Sequence, residues 1–246
     1  MVIRTLLTVS SLMAVSCASF SAQAALQGRD LDGNLATFEA YYDTTLNITW
    51  LADANYAQTS GYDVDGKMSW SAASAWAASL SFYNPLTQET YGHWRLPAVG
   101  PVDGVNFDFT PSFDGSTDSS YNYTTPNKEM PHLFHVTLGN ASMYDTSGAS
   151  SGCYVVGVAD CFDNQGPFVN LTFPYLYWND NTGASTPAEA WAFTFDRGQL
   201  GLSTTIQEYH AWAVHPGDVG AVPEPETYGL LLAGLGLIGW RLRQGR

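Results

Sequence analysis

Apolar residues change period along the chain, and each change predicts an element. Tyr41-Tyr42-Asp43 and Ile48-Thr49-Trp50-Leu51 flank a Thr-Thr-Leu-Asn stretch. Aromatic and β-branched residues on both sides of a short polar break predict a β-hairpin. Ala54 to Lys67 reads as a polar loop, after which Ser69 is placed to cap a helix. Trp70, Ala73, Trp76, Ala77 and Leu80 then recur at helical spacing, so one face of that helix is expected in the core. Asn84-Pro85 ends the segment, and Trp94-Arg95-Leu96-Pro97 predicts a short strand stopped by proline. Residues 98–126 are rich in Gly, Ser, Asp, Thr and Pro, with Phe107, Phe109 and Phe113 in weak alternation, and read as a long loop. Asn127 is placed to cap a second helix running through Met130, Leu133, Phe134 and Leu138 to Gly139, with Pro131 in its first turn. Strands are predicted at Phe168–Leu171, Tyr175–Trp178, Ala190–Phe195 and His210–Val214. In the third of these, Trp191, Phe193 and Phe195 alternate as a half-buried strand requires. Two helices followed by antiparallel strands predict one compact α+β domain.

The two ends carry a different pattern. One Arg, an apolar run from Leu6 to Val15 and the small-x-small site Ala22-Gln23-Ala24 make residues 1–24 a secretory signal, with cleavage expected after Ala24. Cys17 raises a lipoprotein alternative, but Ala14-Val15-Ser16 lacks the Leu expected three positions before such a cysteine. This leaves residues 25–219 as the domain and 220–246 as a tail. In the tail, Val222-Pro223-Glu224-Pro225-Glu226 precedes an apolar run over 228–240 and the basic end Arg241-Leu242-Arg243-Gln244-Gly245-Arg246. Thirteen helical residues span about 20 Å, short of the ~30 Å hydrocarbon core, and flanking arginines help such a helix by snorkelling. The basic end favours the cytoplasm, which puts the domain outside. The tail is therefore the expected membrane contact.

Composition narrows the class. Charged residues make up 13% of the chain and aromatics 14%, including 8 Trp and 14 Tyr, so the chain has the means to bury a core. Between Ala25 and Val219 stand 21 acids and five bases (Arg29, Lys67, Arg95, Lys128 and Arg197), a net charge of −16. Such a surface repels phosphate backbones, which argues against nucleic acid as a partner. It tolerates cations and neutral or basic ligands. Cys153 and Cys161 remain after the signal peptide, an even pair in a chain bound for an oxidising compartment, and are expected to form a disulfide.

The order Pro-Glu-Pro, apolar helix and basic end resembles the PEP-CTERM sorting signal, with Pro223, Glu224 and Pro225 as its motif. That resemblance implies recognition by an exosortase-type protease, removal of the tail on delivery, and a Gram-negative bacterium that makes exopolysaccharide. The domain carries a second resemblance. Asp43-Thr44-Thr45-Leu46-Asn47-Ile48-Thr49-Trp50-Leu51, Met68-Ser69-Trp70-Ser71-Ala72-Ala73, Gly92-His93-Trp94-Arg95-Leu96-Pro97 and Ala211-Trp212-Ala213-Val214-His215-Pro216-Gly217-Asp218-Val219 occur in order. Together they resemble the Lcl C-terminal domain family. This implies a surface or secreted module with a C-type-lectin-like fold and a link to glycan adhesion. No shared catalytic residues are carried over. The chain departs from the family's pattern in the 98–126 insertion, which stands where a helix usually follows Trp-Arg-Leu-Pro.

Candidate chemistry is sparse. Asp30-Leu31-Asp32-Gly33 and Asp63-Val64-Asp65-Gly66 look like halves of calcium loops, but neither has the closing acid of a full EF-hand, and Asp-x-Asp-Gly is also ordinary turn chemistry. Calcium at Asp30 and Asp32, or at Asp63 and Asp65, is the one cofactor suggested. His132 and His135, with Glu129 a turn earlier, could face one metal, although a complete ligand set is not apparent. No Gly-x-Ser-x-Gly, nucleotide loop or His-Glu-x-x-His occurs. Tyr121 and Tyr123 lie in the polar insertion, and Tyr175 and Tyr177 flank Trp178 beside Asn179-Asp180-Asn181. These five rings are the expected ligand-contact surface. The functional expectation is a non-catalytic envelope or matrix module associated with exopolysaccharide or another surface glycan. The alternative is a carbohydrate-active or oxidative extracellular enzyme with residues 98–126 as a lid.

Overall fold

A computed structural model describes residues 26–172, 175–182 and 187–220. The first sheet contains β1 (Leu26–Arg29), β2 (Ala40–Asp43), β3 (Ile48–Leu51) and β13 (Val214–Pro216), antiparallel in the order β1-β2-β3-β13. The predicted hairpin is β2–β3, and Asn47 in its turn adopts a φ of 54°. Short polar residues such as Asn tolerate that left-handed backbone.

A second sheet has the order β11-β10-β9-β12-β4, from β4 (Lys67–Met68), β9 (Leu176–Thr182), β10 (Glu189–Thr194), β11 (Gln199–Thr204) and β12 (Tyr209–His210). Its pairings are antiparallel except β9 with β12. The first helix of any length is α2 (Trp70–Ser79), with Ser69 at the predicted N-cap position but making no side-chain capping hydrogen bond, and with Ala73, Trp76 and Ala77 buried. A single turn, α1 (Tyr56–Thr59), precedes it, and a small hairpin, β5 (Phe82–Asn84) with β6 (Glu89–Tyr91), follows. The α+β architecture is as the sequence predicts.

Several local expectations shift. Trp94–Pro97 contributes a single bridge, Arg95 to Val214, and not a strand. Phe168–Leu171 likewise supplies one bridge, Asp53 to Val169. The second helix is capped at Lys128 and not at Asn127. It runs as α3 (Glu129–His132) and continues as a π-helical turn over Leu133–Thr137. The predicted strand at His210–Val214 is two strands in two sheets, β12 and β13. Ala211, Trp212 and Ala213, all fully buried, carry the chain across between them.

Trp212 sits at that crossing with its ring 5.0 Å from Trp50, 4.8 Å from Phe168, 6.0 Å from Tyr177 and 6.0 Å from Phe195. Its indole N–H donates to the carbonyl of Leu51 at 2.8 Å, so the polar edge costs nothing on burial. A separate run of rings joins Tyr56, Phe82, Trp94 and His215.

β10 is buried on both faces, which the alternating pattern does not predict. On the Trp191 face the cover comes from the insertion. Phe109 stacks on Trp191 at 5.9 Å and Phe107 lies 5.5 Å away. Residues 98–126 also hold β7 (Pro111–Ser112) and β8 (Ser119–Ser120), paired in parallel. The segment is pinned from inside by Lys128, whose ammonium donates to Asp118 at 2.6 Å and to the Gly100 carbonyl at 2.9 Å, with both ion-pair side chains essentially fully buried.

The two ends of the described domain meet at a clasp. Arg29 forms a two-point ion pair with Asp218, Thr49 donates its hydroxyl hydrogen to the Gly217 carbonyl, and the Gly217 N–H donates to Asn47. Replacing Trp212 by Ala should cost about 3–5 kcal/mol in denaturant unfolding, the usual range for a buried Trp. A loss under 1 kcal/mol would show that the ring does not couple the sheets.

Burial also makes three histidines poor bases. His210 and His135 are each pushed down to about 4, and His132 is lowered too, because the interior disfavours the imidazolium. Their folded values lie below the ordinary 6.5, so the unfolded chain binds more protons as pH falls. For His210 and His135 the contribution is full above about 6.5 and is lost between there and about 4. Unfolding at pH 7 and pH 4.5 should therefore show His210→Gln losing about 2 kcal/mol less than wild type over that interval. Equal losses would contradict the assignment.

Candidate functional site

A cleft lies at the turn between β10 and β11, Phe195-Asp196-Arg197-Gly198. Gly198 has a φ of 64°, and a side chain there would strike the Phe134 ring and the Ser142 hydroxyl. Residues 140–162 strap across this turn through its backbone. The carbonyls of Asp196, Arg197 and Gly198 accept from the Cys161 N–H, the Met143 N–H and the Ser142 hydroxyl respectively. The strap ends in a loop closed by the disulfide Cys153–Cys161, as the sequence predicts.

Between loop and turn is a cavity of about 670 Å³ lined by Tyr154, Val156, Val158, Asp160, Asp196 and Arg197 among others. Its volume falls in the range of small-molecule and sugar sites. Tyr154 supports the Arg197 guanidinium, which lies 4.9 Å from the ring centre and donates to the phenol oxygen at 3.1 Å. Asp196 is only 7% exposed. One of its carboxylate oxygens is 3.6 Å from Arg197 Nε, and the other, Oδ1, is buried with no hydrogen-bond partner among the described residues. Leaving a buried acceptor unpaired costs about 1–3 kcal/mol. Desolvation, reinforced by the Asp160 charge and opposed by Arg197, raises the Asp196 carboxyl above its ordinary value. The cleft therefore brings together two carboxylates, a cation and an aromatic ring.

The five predicted ligand rings divide between surface and core. Tyr121 and Tyr175 are half-buried, and both sense the Asp196 carboxylate electrostatically, Tyr121 also sensing Arg197 and Tyr175 also sensing Asp160. Tyr121 packs with Phe113 and Tyr144. The other three are fully buried, which corrects their assignment to a contact surface. Tyr123 donates to the Asp118 carbonyl and lies under Lys128. Tyr177 packs on Phe195, His210 and Trp212, and Trp178 donates to the Met68 carbonyl. β9 is hydrogen-bonded along both edges, to β10 and β12, and Tyr177, Trp178 and Asn179 on it are all fully buried.

The metal candidates also divide. Asp63 and Asp65 form turns: Asp63 accepts from the N–H groups of Asp65 and Gly66, and Asp65 pairs with Lys67. Asp30 and Asp32 approach Glu39, the three offering oxygens within 4.8 Å of one another. Each of those carboxylates already accepts hydrogen bonds from its own loop. Glu129 is held by Arg95 in a two-point pair and by the Ala98 N–H, away from any joint role with His132 and His135.

The sorting tail lies outside the described residues, as do the expected signal peptide over 1–24 and the apolar segment 228–240. Residues 221–246 match the PEP-CTERM protein-sorting motif. The chain is thus an exported protein that an exosortase sorts to the cell surface of a Gram-negative bacterium. No curated protein and no solved structure matches it. Among the described residues no helix is long and apolar enough to cross a membrane. Replacing Pro223-Glu224-Pro225 by alanines should hold the protein at the inner membrane, and mass spectrometry of the native surface form should find no peptide beyond about Glu226. An intact Arg246 in the surface form would contradict processing.

Proposed function

We propose that this is a non-catalytic surface or matrix module of the Lcl C-terminal type that binds exopolysaccharide in the cleft at Asp196 and Arg197. The observation that carries the reading is the cavity of about 670 Å³ whose lining brings together Tyr154, Asp160, Asp196 and Arg197. A sugar hydroxyl would donate to a carboxylate of that lining, and Tyr154 and Arg197 offer a ring and a planar cation beside it. Half-buried Tyr121 and Tyr175 extend the polar-aromatic surface on either side. The family part of the proposal is supported by the clustering of the quoted segments: the Arg95 backbone pairs with Val214, and the residues around Asp218 close on Arg29, Asn47 and Thr49. A second reading, a carbohydrate-active enzyme, draws on Asp160 and Asp196 sharing one cleft, since paired carboxylates serve glycoside hydrolysis.

Asp196→Ala and Tyr154→Ala should each weaken binding to the host's own exopolysaccharide at least tenfold, about 1.4 kcal/mol. Asp196→Ala should do so without loss of stability, because it removes an unpaired buried acceptor. Unchanged binding by both folded variants would contradict the proposal. Shortened polysaccharide chains released by the wild type and not by Asp196→Ala would favour the enzyme.

A further inference from the structure

Lys128 is the most deeply buried cation among the described residues, with its side chain wholly inside and that of Asp118 nearly so. Rings of Phe107, Tyr123 and Trp191 surround the ammonium at 5.7, 5.2 and 5.5 Å from their centres. The Asp118 carboxylate is gripped on both oxygens: Oδ1 accepts from Lys128 Nζ at 2.6 Å and the Val102 N–H at 2.9 Å, and Oδ2 accepts from the Asp108 N–H at 2.6 Å. Amine and carboxyl are thus held in contact, oriented, and screened from water. We propose that Lys128 and Asp118 join as an intramolecular isopeptide bond, a covalent cross-link that fastens the 98–126 insertion to the start of α3.

The chemistry balances without a co-reactant. A proton passes from Lys128 Nζ to the carboxyl across the 2.6 Å contact. Burial lowers the lysine's affinity for that proton, with Asp118 opposing. The freed lone pair attacks Asp118 Cγ. The backbone N–H of Asp108 faces the oxygen on which negative charge develops, as a preorganised donor should. The other oxygen departs as water, carrying the transferred proton and a second one from Nζ, and one C–N bond replaces one C–O bond. Two buried charges become a neutral amide, which removes the cost of keeping ions in a dry site. Holding the groups in contact supplies the effective concentration that an intermolecular condensation lacks.

The test is the intact mass of the full exported protein purified from its host. One lost water places it about 18 Da below the disulfide-bonded sequence. After denaturation, trypsin should fail to cut beyond Lys128, and fragmentation should give a branched peptide joining Asp118 to Lys128. Lys128→Arg should restore the full mass, and Asp118→Asn should lose ammonia instead of water. An undiminished wild-type mass, with cleavage after Lys128, would overturn the proposal whether or not either variant folds.

Discussion

Trp212 occupies the one place where the chain passes from the second sheet to the first, and its ring is where both meet. A fully buried indole removes on the order of 200 Å² from water. Here that surface is shared among Trp50 of the first sheet, Tyr177 of the second, Phe168, and Phe195 beside the candidate cleft. The hydrogen bond to the Leu51 carbonyl fixes the indole's rotation. Ala211 and Ala213 on either side of it are fully buried, and the Ala213 carbonyl accepts from the Leu51 N–H. The clasp of Arg29 on Asp218 then closes the first sheet at the point where the sorting tail begins.

Upon this base the functional surface is built mainly by backbone. Three successive carbonyls of the Asp196–Gly198 turn are taken up by the strap at residues 140–162. That leaves the side chains of Asp196 and Arg197 free to face the cavity. Stability lost to an unpaired carboxylate oxygen is a common signature of a binding position, because a ligand restores the missing bond. The domain's net charge of −16 from Ala25 to Val219 favours neutral or basic glycans over acidic ones.

Elements that declare themselves by local period were legible in the sequence. The β2–β3 hairpin and α2 follow directly from aromatic alternation and helical spacing, and the Cys153–Cys161 bridge from pairing in an exported chain. Where cover comes from distant sequence, the pattern misleads. β10 reads as half-buried because nothing near Trp191 announces Phe107 and Phe109. Tyr123 reads as a surface ring because its polar neighbours, Asp118 and Ser120, turn inward to form a buried network with Lys128. Asp196 and Arg197 were missed for the opposite reason. They look like ordinary turn residues, and only docking of the disulfide loop makes the turn into a cleft. An Asp-Arg-Gly turn after an aromatic strand, near a cysteine pair, was the available signal.

The most direct test is a backbone-amide NMR titration of the ¹⁵N-labelled domain with oligosaccharides cut from the host's exopolysaccharide. The account predicts saturable shifts grouped at residues 153–161 and 195–198 and reaching Tyr121 and Tyr175, with β1–β3 unmoved. Saturable shifts grouped instead at residues 30–39, or no shifts at millimolar ligand, would contradict it.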